Sequence, residues 1–267
     1  MNIQGSLFQG PDGDENPAQH CGRSSYRFII PIEKIFADPE LRQIYADGRT
    51  GMRVAIDFKT TTMFINYACR SGKLLNCAVP HPTRDDEDES DSWNAQGSLS
   101  QLKEATQNFH PTLQKFFDLC EDKDVKVHKM WVRKPLRSFV HGRTCVIGDA
   151  AHAMLPTHGA GAGVTIESAA TLEPLLSGVG AKDPDLIKQR LQIWDRLRVG
   201  RCNFVLLMSN AGVAGLNVPG VEENIREYYQ GLLPPREALT WSKESRAVFF
   251  DCDAYEEGRR ALEESVI

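Results

Sequence analysis

An α/β fold, with a mixed antiparallel sheet and helices beside it, is what this sequence predicts. Three observations carry the prediction: three β-rich runs between Met52 and Val79, helical spacing from Ser98 to Cys120, and a unit of strand, acid, glycine loop and helix that begins at Arg143.

The elements follow in chain order. Residues 1–25 are rich in Gly, Asp, Asn, Pro and Ser without a period and read as a disordered or irregular tail, so order is expected to begin near Tyr26. Tyr26-Arg27-Phe28-Ile29-Ile30-Pro31 is a short apolar strand closed by proline. Glu33 to Tyr45 has helical spacing interrupted at Pro39, where the ring removes an amide donor and crowds the preceding turn. RVAIDF, TTMFINYA and KLLNCAV, within residues 52–79, are strands, and Cys69-Arg70-Ser71-Gly72 joins the last two as a hairpin, which makes an antiparallel meander. Arg84 to Ser92 (RDDEDESDS) gathers like charges that repel in any packed element, and reads as a solvated loop rather than a metal site. Ser98 to Cys120 carries apolar residues at helical spacing, broken near Pro111, and Val125 to Val132 (VKVHKMWV) is a further strand.

Composition excludes several classes. At 267 residues and 41% hydrophobic content the chain supports one large domain or two small ones with a buried core. Lys and Arg number 31 against 36 Asp and Glu, a net charge of −5, which leaves no cation excess for a nucleic-acid backbone. No run approaches the roughly 20 apolar residues that a bilayer span needs, and residues 1–19 have neither a basic nor an apolar leader region. A soluble, cytoplasmic protein is expected. Seven cysteines lie scattered at 21, 69, 77, 120, 145, 202 and 252 without a C-x-x-C pair, which argues for reduced thiols and against a disulfide scaffold or a metal site.

Chemistry enters at residue 143. Thr144 to Ile147 is a continuous apolar run suited to a strand buried on both faces, and Gly148-Asp149 ends it. A helix, VTIESAATLEPLLSG, begins at Val164, with Ile166, Ala169, Ala170, Leu172, Leu175 and Leu176 expected on its apolar side and Pro174 kinking or shortening it. Between them Gly159, Gly161 and Gly163 leave backbone amides unshielded at a helix N-terminus, a setting for an anionic or carbonyl-rich ligand. A carboxylate at a strand's C-terminal end, as Asp149 is, can accept hydrogen bonds from ribose-like hydroxyls. The loop is not a G-x-G-x-x-G fingerprint, because Val164 and Ile166 stand where glycine would be required, and neither G-x-x-x-x-G-K-[ST] nor G-x-S-x-G occurs. Taken only as glycines, a plain helix-entry loop and a ligand cradle both remain open.

The full string from Gly148 to Ala169, G-D-A-A-H-A-M-L-P-T-H-G-A-G-A-G-V-T-I-E-S-A, resembles the second flavin-binding segment of class A FAD-dependent monooxygenases, in particular the salicylate hydroxylase-like and phenolic polyketide hydroxylase branch. The resemblance implies that Gly148 and Asp149 meet the ribityl and pyrophosphate part of FAD. It implies likewise that Pro156, Gly159 and the backbone of Gly161, Ala162 and Gly163 hold the isoalloxazine. It extends outward to the Tyr26-Arg27 strand, to Asn66 through Asn76, to Asp91-Ser92-Trp93-Asn94 and to Trp194 through Arg201, covering about residues 24–215 by pattern.

On this basis the expected plan is a tail over 1–25, a substrate-binding sheet domain over 26–137, the C-terminal part of an FAD-binding domain over 138–215 and a C-terminal helical tail over 216–267. It is an incomplete flavin monooxygenase fold, since the family's N-terminal βαβ half with its G-x-G-x-x-G is not found, and Asp12-Gly13 lacks the residues that should follow it. The activity implied is hydroxylation of a phenolic or polyketide-derived aromatic with NAD(P)H and O2, in secondary or aromatic-compound metabolism. Arg27 and Tyr67 match the positions that hold the phenolate; as bare residues they read equally as a surface ion-pair partner and a strand packing residue. His152 is expected to orient the loop, His158 to be incidental and Cys145 to be core, while Trp93, Trp131, Trp194 and Trp241 show no spacing for ligand stacking. The alternative is a truncated non-catalytic remnant, an accessory subunit or half of a split enzyme. A homodimer, or a partner supplying the N-terminal flavin half, would then complete the site.

Overall fold

The first sheet grows from a strand of 13 residues. In the computed structural model, which describes residues 18–48, 50–87, 92, 94–180, 183–238 and 240–265, β1 (Gln19–Pro31) leads into helices α1 (Ile32–Ala37) and α2 (Pro39–Ile44). Asp12-Gly13, Asp91 and Trp93 lie outside the described residues. Asp38 separates the two helices and accepts hydrogen bonds from the amides of Glu40 (2.8 Å) and Leu41 (3.1 Å), with Pro39 in the first helical position. Then come β2 (Arg53–Asp57), β3 (Thr62–Cys69), β4 (Leu74–Pro82), β5 (Ala95–Gln96), helices α3 (Leu99–Ala105) and α4 (Pro111–Asp118), and β6 (Lys126–Val132).

Among the described residues these strands form one six-stranded sheet in the order β2-β3-β4-β1-β6-β5. The meander over residues 53–82 is antiparallel, and Arg70, Ser71 and Gly72 all take positive φ in the connection between β3 and β4. One face of the sheet is the core: Tyr26, Phe28 and Ile30 alternate along β1 and pack with Leu75, Cys77, Val79 and Phe64 against α3 and α4. Phe64 sits edge-on between Phe116 (5.2 Å) and Phe117 (5.1 Å), and burying each such ring contributes roughly 2–3 kcal/mol.

Two expectations change in this unit, His20–Met130. Order begins by Gln19 rather than near Tyr26, because Arg23, Ser24 and Ser25 pair with Pro82, His81 and Pro80, and Ser24 Oγ meets Thr83 Oγ1 at 2.9 Å. Paired backbone and satisfied hydroxyls let polar residues lie in a sheet interior that composition does not betray. The acidic run is likewise not wholly solvated, since Glu87 is buried with its Oε1 2.5 Å from His81 Nε2, and His81 stacks on Tyr26.

The second unit is built on Trp131–Ile267. It opens with a hairpin of β7 (Val140–His141) and β8 (Thr144–Cys145), followed by α5 (Asp149–His152), α6 (Gly161–Leu176), α7 (Pro184–Asn210), α8 (Val221–Arg226), α9 (Lys243–Phe250) and α10 (Ala254–Ser265). Trp194, Phe139, Phe204 and Phe249 are the large rings of its core. The described residues from Leu216 onward are integral to that core: Ile225, Phe249 and Ala254 are buried, and a Cβ at Gly258 would lie 2.8 Å from the Thr171 carbonyl oxygen, so α10 rests directly on α6.

The run Thr144 to Ile147 is not a strand buried on both faces. Only Thr144–Cys145 pair, with β7 alone, and Ile147 is 40% exposed; a continuous apolar run is covered twice only where strands flank it and layers sit above and below. The expected apolar side of α6 is also corrected. Its buried residues are Val164, Ser168, Thr171, Pro174 and Leu175, while Ile166 is 69% exposed and Ala169 is exposed. Small polar residues face inward because α7 and α10 approach closely there and offer them hydrogen bonds, such as Thr171 Oγ1 to the Ala254 carbonyl at 3.1 Å. Pro174 does not end the helix, which continues to Leu176.

Candidate functional site

The chain leaves β8 through Val146, whose amide donates to the Phe139 carbonyl (2.9 Å), and then makes a turn that only glycine adopts comfortably: Gly148 has φ +63° and ψ −145°. The Gly148 carbonyl accepts from the amides of Ala151 (2.8 Å) and His152 (2.9 Å), which sets Asp149 in the first position of α5. A tight turn Pro156–His158 follows, closed by the Gly159 amide on the Pro156 carbonyl (3.0 Å), with Gly159 left-handed at φ +62°.

Ala160 then caps α6, and the first helical bond of its interior, Val164 N–H to the Ala160 carbonyl (2.9 Å), leaves the amides of Gly161, Ala162 and Gly163 without intrahelical acceptors. Ala162 and Gly163 are exposed, and Cβ atoms added at Gly159, Gly161 or Gly163 would meet nothing within 4 Å. The 16-residue helix therefore presents three open amides and its positive end to whatever lies over this loop. Gly148, Asp149, Pro156, Gly159, Gly161, Ala162 and Gly163 are thus brought together in one loop system.

Two histidines back that loop. His152 is buried, and neither ring nitrogen has a hydrogen-bond partner; burial holds its proton affinity below the usual histidine value, so the ring is neutral. His158 is not incidental. It is buried, stacked on Phe249 at 4.2 Å between centroids, with Nδ1 3.4 Å from Ser209 Oγ, and burial pushes its pKa down to about 4.

Behind α6 lies a charged network. Glu167 Oε2 takes Arg198 Nη2 at 2.7 Å and Glu167 Oε1 takes Arg201 Nη2 at 3.0 Å, while Arg198 Nε reaches Ser168 Oγ at 3.3 Å. Burial works against the Glu167 charge, but the two guanidiniums outweigh it and hold the carboxyl below its usual range. Burial pushes the Cys145 and Cys202 thiols up, which works against the thiolate that a nucleophile needs.

Arg27 and Tyr67 fall on the other unit, and strand register places them on one face of its sheet. Arg27, Ala78 and Ile65 share one rung, and Ile29, Asn76 and Tyr67 share the next rung on that face, opposite the core. Tyr67 is 42% exposed and Ile29 is 52% exposed. His128 on β6 was not singled out by sequence; burial, and then the charge of Arg27, push its pKa down to about 4. Its strand was legible, but its nearness to Arg27 depends on strand order.

Residues 37–188, more than half of the chain, match the family described as FAD binding domain. The chain belongs to the FAD binding domain family. A FAD-dependent monooxygenase of Aspergillus candidus, cfoG, is 30% identical over 205 residues, 76% of this chain and 46% of that protein. Hispidin-3-hydroxylase of Neonothopanus nambi is 30% identical over 194 residues, 69% of this chain and 44% of that protein. A solved salicylate hydroxylase substrate complex superposes with a TM-score of 0.68 at 23% identity, over 97% of this chain and 61% of that chain. The fold is therefore that of flavin hydroxylases, and the chain spans about half the length of the curated relatives it matches. FAD is the family's cofactor, and the residues here fit it: the loop offers open glycine amides to electron-rich atoms, and the helix that Asp149 opens ends at His152, whose buried imidazole has no hydrogen-bond partner. Among the described residues no helix is long and apolar enough to cross a membrane.

Proposed function

We propose that this chain acts as a FAD-dependent monooxygenase that hydroxylates a phenolic or polyketide-derived aromatic molecule with NAD(P)H and O2. The observation that carries the reading is the glycine-opened loop at the start of α6, with exposed amides and Asp149 on the same loop system. Bound flavin supplies the redox chemistry of oxygen transfer. Asp149 would accept hydrogen bonds from the cofactor's hydroxyl-bearing chain, and the open amides of Gly161, Ala162 and Gly163 would donate to its electron-rich atoms.

Arg27 and Tyr67 are proposed to hold the substrate. The Arg27 guanidinium stabilises a phenolate by charge-assisted hydrogen bonding, and the Tyr67 hydroxyl orients the ring from the same sheet face. Exposed Ile29 beside them offers apolar surface to an aromatic ligand.

The deciding experiment is the visible absorption spectrum of the purified chain, as isolated and during titration with FAD, with Asp149→Ala as control. A flavin band approaching one equivalent that is lost in the variant supports the reading. No uptake at high FAD overturns it for this chain alone, and leaves the remnant or partner-completed alternatives.

A further inference from the structure

The loop from Leu155 to Gly163 is anchored almost entirely by residues that lie beyond the family match at 37–188. Asn210 Oδ1 accepts the Leu155 amide at 3.0 Å. The Trp241 indole Nε1–H donates to the Thr157 carbonyl at 3.0 Å. Phe249 lies flat on the His158 ring, 7° from parallel.

Two of the anchors carry a further structural mark. Trp241 has φ +70°, a left-handed conformation that a bulky side chain adopts only when its surroundings impose it, and its indole N–H ends on the loop. Phe249 is buried near the C-terminus of α9, where the carbonyls of Val248 and Phe249, which lack helical donors, accept from Arg201 at 2.8 and 2.5 Å. Arg201 in turn pairs with Glu167 on α6, the helix that the loop enters. The contacts close a ring from loop to α9, to α7, to α6 and back to the loop.

We propose that Trp241 and Phe249 are positioning residues that fix the conformation of the Leu155–Gly163 loop, and through it the direction in which the amides at the start of α6 face the cofactor. The cofactor part of this inference rests on the reading of the loop as the flavin site. The anchoring part does not.

The test compares the wild-type chain with Trp241→Phe, Phe249→Leu and Phe249→Tyr, by hydrogen exchange of the 155–163 amides and by FAD titration. Trp241→Phe keeps a ring but loses the donor, and Phe249→Tyr keeps the stack. Expected is exchange roughly tenfold faster at the hydrogen-bonded amides of Leu155 and Gly159 in Trp241→Phe and Phe249→Leu, with α10 unchanged, and an FAD dissociation constant raised by roughly tenfold, the loss of about one hydrogen bond or stacking contact. Phe249→Tyr buries an added hydroxyl, since Phe249 is 1% exposed, but keeps the ring on His158, so its loop exchange should stay closer to wild type than that of Phe249→Leu.

Unchanged loop exchange in Trp241→Phe overturns the proposal, as does faster exchange with unchanged FAD affinity. If wild type takes up no FAD, the functional reading falls and loop exchange alone decides the anchoring. Should Phe249→Leu fail to fold, the milder Trp241→Phe carries the test.

Discussion

Glu167 Oε2 lies 2.7 Å from Nη2 of Arg198, a guanidinium with no exposed surface, and the other oxygen of the same carboxylate is bound by Arg201. One carboxylate thus pairs with two buried arginines and ties α6 to α7.

Glu167→Gln should therefore destabilise the second unit by about 3–5 kcal/mol, because it leaves two cations buried with half their acceptors. Urea denaturation followed by tryptophan fluorescence measures this, since Trp194 sits in the same core and donates to the Ser168 carbonyl (2.9 Å). The Glu167 carboxyl is held below its ordinary 4.5, so its contribution is complete above that pH and is lost as pH falls through the lower folded value. The variant should lack that acid-side slope.

Histidine 158 works over a different range. Its folded pKa is about 4 against an ordinary 6.5, so the unfolded chain binds the proton first, and stability falls as pH drops from 6.5 toward 4 and not further below. His158→Phe should retain the stack on Phe249 and remove this slope, a difference on the order of 3 kcal/mol between pH 7 and pH 4. Subtracting the two stability curves isolates the effect, because His128 and His152, also depressed by burial, are common to both. Parallel curves would show that His158 is not kept neutral.

Two glycines of the loop should differ in tolerance. Gly159 is in the left-handed helical region, where alanine costs about 1–2 kcal/mol. Gly148, at φ +63° and ψ −145°, occupies a region closed to side chains and has Thr165 Oγ1 3.4 Å from a would-be Cβ. Gly148→Ala should cost about 2–3 kcal/mol or more and abolish FAD uptake, whereas Gly159→Ala should fold nearly normally. Thermal melts with and without FAD compare them.

If the proposed substrate face is correct, Arg27→Gln should lower kcat/KM for a phenolic substrate by roughly ten- to a hundredfold, and Tyr67→Phe by roughly three- to tenfold, in line with a lost charged and a lost neutral hydrogen bond. Substrate-dependent NAD(P)H oxidation gives both values. Equal kcat/KM in all three proteins would remove these residues from the site.

Much of this was legible locally. The meander of β2, β3 and β4 announces itself by β-rich runs and by a turn of Arg70, Ser71 and Gly72, and the helix breaks at Pro39 and Pro111 follow from one missing amide each. The Gly148–Gly163 string is legible as a glycine-opened loop because consecutive residues supply its turns. The burial of Ser24 and Ser25, of Glu87 on His81 and of Ser168 on Arg198 was not legible, since each polar group is satisfied by a partner 30 to 59 residues away or one rung across a sheet, or by a short pairing with no motif.

By itself the sequence determined the order and type of most elements and the glycine-opened loop with the acid beside it, because these depend on dihedral preference, periodicity and short-range spacing, and the resemblance of its Gly148–Ala169 string pointed to the family. Tertiary structure alone decided that Arg27 and Tyr67 share a sheet face, that Ile166 faces outward while Ser168 and Thr171 face in, and that Trp241 and Phe249 reach back to the loop. Those outcomes depend on strand register and on which helices pack together, and both are settled by long-range burial and hydrogen-bond satisfaction that no local window of sequence contains.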